Sequence, residues 1–253
     1  MIQWRTFAHP PRLPRRTSCQ LTSQPEQIPS CYPEPAAVRD RFKRLSKRGS
    51  TMAHTKIQIA DLRPTQLTLG FSEVAERAAK LEKQSPADRK SHLEKKAIPH
   101  VIGPGKRIYM VDHHHLARAL WSINIREAVL GDTLADWSDL EDRPFWRKME
   151  KNGYCWPIDT DGNRRPFAAI PHHISELTDN VWRSLARRVR GEAFEDQDTP
   201  FQEFIWGDYF RTFMSRRLIE LKFDLAVELA IKLALLAEAE DLPGFFHREP
   251  RSK

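Results

Sequence analysis

Three cysteines among 253 residues are too few for a closed disulfide framework. Cys19 and Cys31 fall in a proline-rich N-terminal stretch, so Cys155 is left as a single core thiol, as expected in a reducing compartment. Long apolar runs are missing too: residues 225–237 form the longest, and Glu228 and Lys232 interrupt it well short of a bilayer span. Together these shortages lead us to expect a soluble, cytoplasmic protein with no membrane partner. The sequence shows no internal repeat.

Net charge is scarcer than the total of +7 suggests. Residues 1–51 hold ten of the 41 Lys and Arg and three of the 34 Asp and Glu, which leaves 31 of each sign beyond them. Bulk charge therefore makes no case for a DNA-binding face in the rest of the chain. The same stretch holds seven of the eighteen prolines and has no helix or strand periodicity, which predicts a disordered basic extension over 1–51. Met52 stands just before the first regular segment. An extension from an upstream start fits this better than an Arg-rich targeting peptide, because clusters such as His9-Pro10-Pro11 and Tyr32-Pro33-Glu34-Pro35 break the amphipathic helix such peptides need.

What remains reads as mixed α and β. Ile57, Ile59 and Leu62 suggest a strand stopped by Arg63-Pro64, and Gly70 with Ser72 opens a helix with Val74, Ala75, Ala78 and Leu81 on one face. Residues 98–102 and 107–111 read as a hairpin across the turn Gly103-Pro104-Gly105-Lys106. A fourth strand is expected over 123–130, after a helix burying Leu116, Ala117, Leu120 and Trp121. Beyond Gly131 the pattern turns mainly helical: 137–151, a basic helix over 180–190, a helix opened by Thr199-Pro200, and a buried helix over 218–239. Aromatic residues lie on two faces of the third of these, so it is expected to be sandwiched, with Trp206 and Phe210 internal. The expected division is an α/β domain over 52–131 and a helical region over 132–253.

The most informative stretch joins a strand to a helix within one residue: Tyr109-Met110-Val111-Asp112-His113-His114-His115-Leu116. Asp112 reads as the N-cap, with three histidines in the first turn. A helix N-terminus leaves N–H groups unpaired and carries about half a positive charge, so such a joint is suited to an anion. Histidine titrates near neutrality, so Asp112, His114 and His115 are the candidate catalytic groups. Adjacent helical residues point about 100° apart, so the three rings cannot converge on one zinc ion, and no metal site is expected. His113, Thr65 and Gln66, Gly103, Gly105, Lys106 and Arg118 are the candidate cofactor-binding residues. For Thr65 and Gln66 an ordinary turn is an equal reading, and for the glycines a plain hairpin turn is the commoner one.

Leu62-Arg63-Pro64-Thr65-Gln66, Gly103-Pro104-Gly105, the run 111–119 and Thr199-Pro200-Phe201-Gln202-Glu203-Phe204-Ile205-Trp206 resemble the ParB-like nuclease family of the ParB/sulfiredoxin superfamily. The likeness covers about residues 56–220. It implies an α+β fold, a small mixed sheet with helices followed by a mainly helical C-terminal region. It also implies that the helix start binds the phosphates of a nucleotide. Nucleoside phosphate, with Mg²⁺, is then the expected cofactor, and a nucleotide or phosphorylated small molecule the expected partner. A non-catalytic DNA-binding protein is the alternative, with DNA not favoured as partner. Three departures stand out: Gln66 lies where serine-phosphorylating relatives have a glutamate, Leu116 lies where the signature Arg would fall, and no helix-turn-helix follows. Glu203 and the arginines at 183, 187, 188 and 190 are expected on solvated faces, and Cys155 in the core.

Overall fold

The computed structural model describes residues 55–197 and 199–246; the extension expected over 1–51 lies outside the described residues. Chain geometry shapes the main sheet. Strands β1 (Lys56–Gln58) and β2 (Leu62–Arg63) are separated by one 3-10 turn, Ile59–Asp61, yet occupy opposite edges of a five-stranded sheet. A flat sheet would hold those edges about 19 Å apart, at roughly 4.8 Å per strand, and three residues span only about 10 Å. The sheet therefore curls. The single strand expected through Ile57, Ile59 and Leu62 is this broken pair, with the Ile59 N–H turned to the Arg126 carbonyl at 2.7 Å.

Between the edges lie β4 (Ile98–Gly103), β5 (Arg107–Met110) and β6 (Glu127–Asp136), in the order β1-β6-β4-β5-β2. β4 and β5 form the expected antiparallel hairpin, while β2 runs parallel to β5 and β6 parallel to β4. One face of the sheet buries Leu62, Ile98 and Met110 against α1 (Phe71–Glu82) and α3 (His114–Ser122), through Val74, Leu81, Leu116 and Leu120. The other buries Val101 and Tyr109 against α4 (Asp142–Lys151), through Phe145 and Met149. Helix α2 (Pro86–Lys95), capped by Ser85, joins α1 to β4.

Several expected boundaries shift. The fourth strand begins at Glu127, not at Ile123, because α3 ends in a turn in which Asn124 takes φ 62°. It then runs past Gly131, so the division expected there falls inside a strand. A two-stranded sheet crosses that division as well, pairing β3 (Thr68–Leu69) with β7 (Thr178–Asp179). α4 starts at Asp142, later than the expected 137.

The C-terminal region is helical, as expected: α5 (Val181–Val189), α6 (Gln202–Phe213), α7 (Arg216–Leu221) and α8 (Phe223–Leu233). α5 and α6 meet closely at Gly207, where an added Cβ would stand 3.0 Å from the Trp182 carbonyl carbon. Trp206 and Phe210 are fully buried, the former stacked on Phe194 at 4.4 Å, so both faces of α6 are internal. Two expectations fail here. α6 is capped by Phe201 in the left-handed region (φ 60°) and not by Thr199-Pro200. The long buried helix expected over 218–239 is broken at Lys222, and Leu221, Phe223 and Leu225 are exposed, because one face through Ala226, Ala230 and Leu233 suffices for the core.

Candidate functional site

The carboxyl ends of β2 and β5 lie side by side, and the starts of α1 and α3 gather there. After β5 the chain turns through His113, whose backbone is left-handed (φ 65°, ψ 22°) and which occupies the N-cap position of α3. Asp112 is therefore one residue too early to cap the helix. Its exposed carboxylate instead accepts the His113 N–H at 2.6 Å, and its other oxygen lies 3.8 Å from His113 Nδ1.

His114 and His115 enter the protein. The Thr65 N–H donates to His114 Nε2 at 3.1 Å, while the Thr65 hydroxyl donates to the Met110 carbonyl at 2.8 Å. The Gly70 N–H donates to His115 Nε2 at 3.2 Å. A ring nitrogen that accepts a hydrogen bond is unprotonated, so both rings are neutral with the proton on Nδ1. Burial agrees with this, pushing His114 down to about 4 and His115 well below the ordinary imidazole value. Being about 100° apart on the helix, the two rings pin opposite ends of the loop over 65–70.

The remaining candidates separate into three places. Thr65 touches His114 as described, but Gln66 is buried and spends its amide on the Thr68 carbonyl at 2.8 Å. Gly103, Gly105 and Lys106 lie at the other end of β5 from the histidines, about 13 Å away for a four-residue strand. Gly103 is required for packing, since a Cβ there would meet Tyr109 Cε2 at 2.5 Å, and Gly105 and Lys106 adopt positive φ in the hairpin turn. Arg118 lies beside the start of α1, its guanidinium 5.5 Å from the Phe71 ring centroid and its Nε buried without a partner.

One group absent from the sequence-based candidates sits at the centre of this region. Glu73, in the first turn of α1, is buried and paired with Arg183; it also accepts from Arg77 Nε at 2.9 Å and Nη2 at 2.7 Å. His115 Nε2 and Arg187 Nε each lie 3.9 Å from its second oxygen. Burial alone would raise this carboxyl, but His115 when protonated, and Arg183 and Arg77 always, hold it well below the usual carboxylate range. Glu203 is not solvated as expected: it is largely buried, 2.8 Å from Arg190 and 3.9 Å from Arg183. Of the α5 arginines Arg183 is buried, contrary to expectation, while Arg188 is exposed as expected and pairs with Glu192 at 3.1 Å. The spacing of Glu73 and Arg77 was a usable signal, a helical i,i+4 ion pair. Arg183, 110 residues away, was not legible by spacing.

Among the described residues no group of three or more His, Cys, Asp or Glu is placed to hold a metal ion. Among the same residues no helix is long and apolar enough to cross a membrane. Cys155 is buried, and that burial raises its thiol far above the usual range.

A family model described as "Putative ParB-like nuclease" matches residues 55–212. The chain belongs to this family. ParB-like character thus extends from β1 to the end of α6, through both the sheet and the first C-terminal helices. The fold is also similar to that of the protein Atu1540 from Agrobacterium tumefaciens, with a TM-score of 0.70 and 34% sequence identity. That match covers 77% of this chain and 96% of the other. No curated relative matches the chain.

Proposed function

We propose that this ParB-like protein is an enzyme acting on a nucleotide or another phosphorylated ligand, by phosphoryl transfer or phosphodiester hydrolysis. The phosphate would lie at the start of α3. The observation that carries this reading is the left-handed turn at His113, which leads from the carboxyl end of β5 into a helix whose first-turn N–H groups lack intrahelical acceptors. The positive charges of Lys96 and Arg77 act on His113 from the surrounding elements, so cations flank the helix mouth.

Within this reading the histidines divide their roles by their contacts. His114 and His115 have their Nε2 lone pairs engaged, so they position the loop over 65–70 and do not act as bases there. His113 keeps a partly exposed ring beside the Asp112 carboxylate, and burial lowers its pKa so that a neutral imidazole is present at pH 7. That pair suits proton transfer to or from a phosphate-bearing ligand, with Asp112 orienting the ring. Glu73, held ionised by arginines, is too weak a base to substitute for it. Mg²⁺ would arrive on the nucleotide's own phosphates, with Asp112 as the carboxylate at the helix mouth.

Calorimetric titration with nucleoside di- and triphosphates in the presence of Mg²⁺ tests the reading. Micromolar binding is expected, together with His113→Gln retaining affinity within a few-fold while losing turnover. Absence of binding below millimolar, in protein shown to be folded, would remove it. The non-catalytic DNA-binding alternative gains no support from α5, because its arginines are matched by Glu73, Glu192 and Glu203.

A further inference from the structure

The face of the sheet opposite α3 carries a cavity of about 670 Å³, within the size range of small-molecule pockets. Tyr109 of β5 contributes to its lining, and Trp146 and Phe167 form an aromatic wall, stacked on each other at 5.8 Å and 11°. Trp146 also meets Tyr109 edge-on at 5.4 Å. Arg63, Arg107 and Arg143 converge on the same cavity from β2, β5 and α4, with Asp142 as its carboxylate.

What marks this cavity is that three arginines without a carboxylate partner share one lining with aromatic rings. Arg183, Arg188, Arg190, Arg211 and Arg216 each have a carboxylate within 4 Å. None of the three cavity arginines forms an ion pair with a described residue; Arg63 donates only to the His172 carbonyl, at 3.1 Å. Three guanidiniums against one carboxylate leave an uncompensated double positive charge beside flat apolar rings. Guanidinium forks match the oxygens of a phosphate, and aromatic faces match a planar ring.

We propose that this cavity is a second ligand site, separate from the α3 helix start, which binds a phosphate monoester joined to a planar ring, as in a nucleoside monophosphate. The phosphate engages Arg107 and Arg143 at the rim, with Arg63 adding charge from β2. The ring lies against Tyr109 and the Trp146 wall, and Asp142 accepts an N–H from it. Gly105 and Lys106 then act indirectly, by forming the turn that delivers Arg107.

The experiment titrates the full chain with the four nucleoside monophosphates, with inorganic phosphate alone and with unphosphorylated nucleosides. At least one monophosphate is expected to bind, more tightly than phosphate or its own nucleoside. The double variant R107Q/R143Q, folded by circular dichroism, should lose at least tenfold in affinity, and Lys96→Gln at the helix start should change it little. Loss in Lys96→Gln with full retention in R107Q/R143Q would assign the binding to the α3 site and overturn this one, as would no binding of any monophosphate. A second measurement needs no variant: bound monophosphate should protect Arg107 and Arg143 from an arginine-selective reagent, read by mass spectrometry. Unchanged modification at saturating ligand would also overturn the site.

Discussion

Keeping a neutral imidazole buried couples the stability of the fold to acid. His114 sits near 4 in the folded protein against about 6.5 when unfolded, because burial disfavours its charged form. Between those values the unfolded chain holds a proton that the folded chain does not. Stability contributed by the neutral ring is therefore complete above about pH 6.5 and is lost progressively as pH falls towards 4. The full loss is on the order of 3 kcal/mol, and His115 works in the same direction. Urea unfolding at intervals from pH 7 to 4.5 should show this decline. His114→Gln, which keeps an acceptor for the Thr65 N–H, should flatten the slope; an unchanged slope would mean that other groups carry it.

Among the elements, the β4–β5 hairpin shows how far local pattern reading extends. β-branched and aromatic residues on both sides of Gly103-Pro104-Gly105-Lys106 make both strands and the turn legible, and the positive φ of Gly105 follows from the turn chemistry. The glycine at 103 was not legible as a packing residue, because its neighbours Tyr109 and Phe145 come from another strand and from a helix on the sheet face. Helix starts misled for a related reason: His113 and Phe201 take left-handed backbone where the rule expects Asp112 and Thr199 to cap. Ser85-Pro86 marks the start of α2, which buries no residue and so leaves no hydrophobic period in the sequence to announce it. Gly103→Ala should cost about 1–3 kcal/mol, because the new methyl meets two rings fixed by mutual packing at 4.5 Å. A denaturation midpoint equal to that of the parent chain would show that the rings give way.

For the molecule as a whole, topology joins the described residues into one unit, and charge sets residues 1–51 apart from the rest of the sequence. The described residues are tied together across the expected division at 131 by β6, by the β3–β7 pair and by the Glu73–Arg183 ion pair. A fragment over 52–131 would lose half of β6 and remove Arg183, one of the guanidiniums paired with Glu73, so the helical region belongs to the same folding unit. Residues 1–51 are different, because they carry a net +7 while the rest of the chain balances 31 acidic against 31 basic residues. Affinity for duplex DNA that falls steeply with salt requires several unneutralised cations, and the α5 arginines are already paired. Non-specific DNA binding by the full chain should therefore reside in the extension. A chain beginning at Met52 is expected to lose it, while keeping its melting temperature and its affinity for nucleoside phosphates. Mobility-shift assays at 50 and 200 mM salt on both chains make the comparison. Persistent, salt-sensitive retention by the shorter chain would reveal a basic surface in the fold, with the Arg63, Arg107 and Arg143 rim as the first place to neutralise.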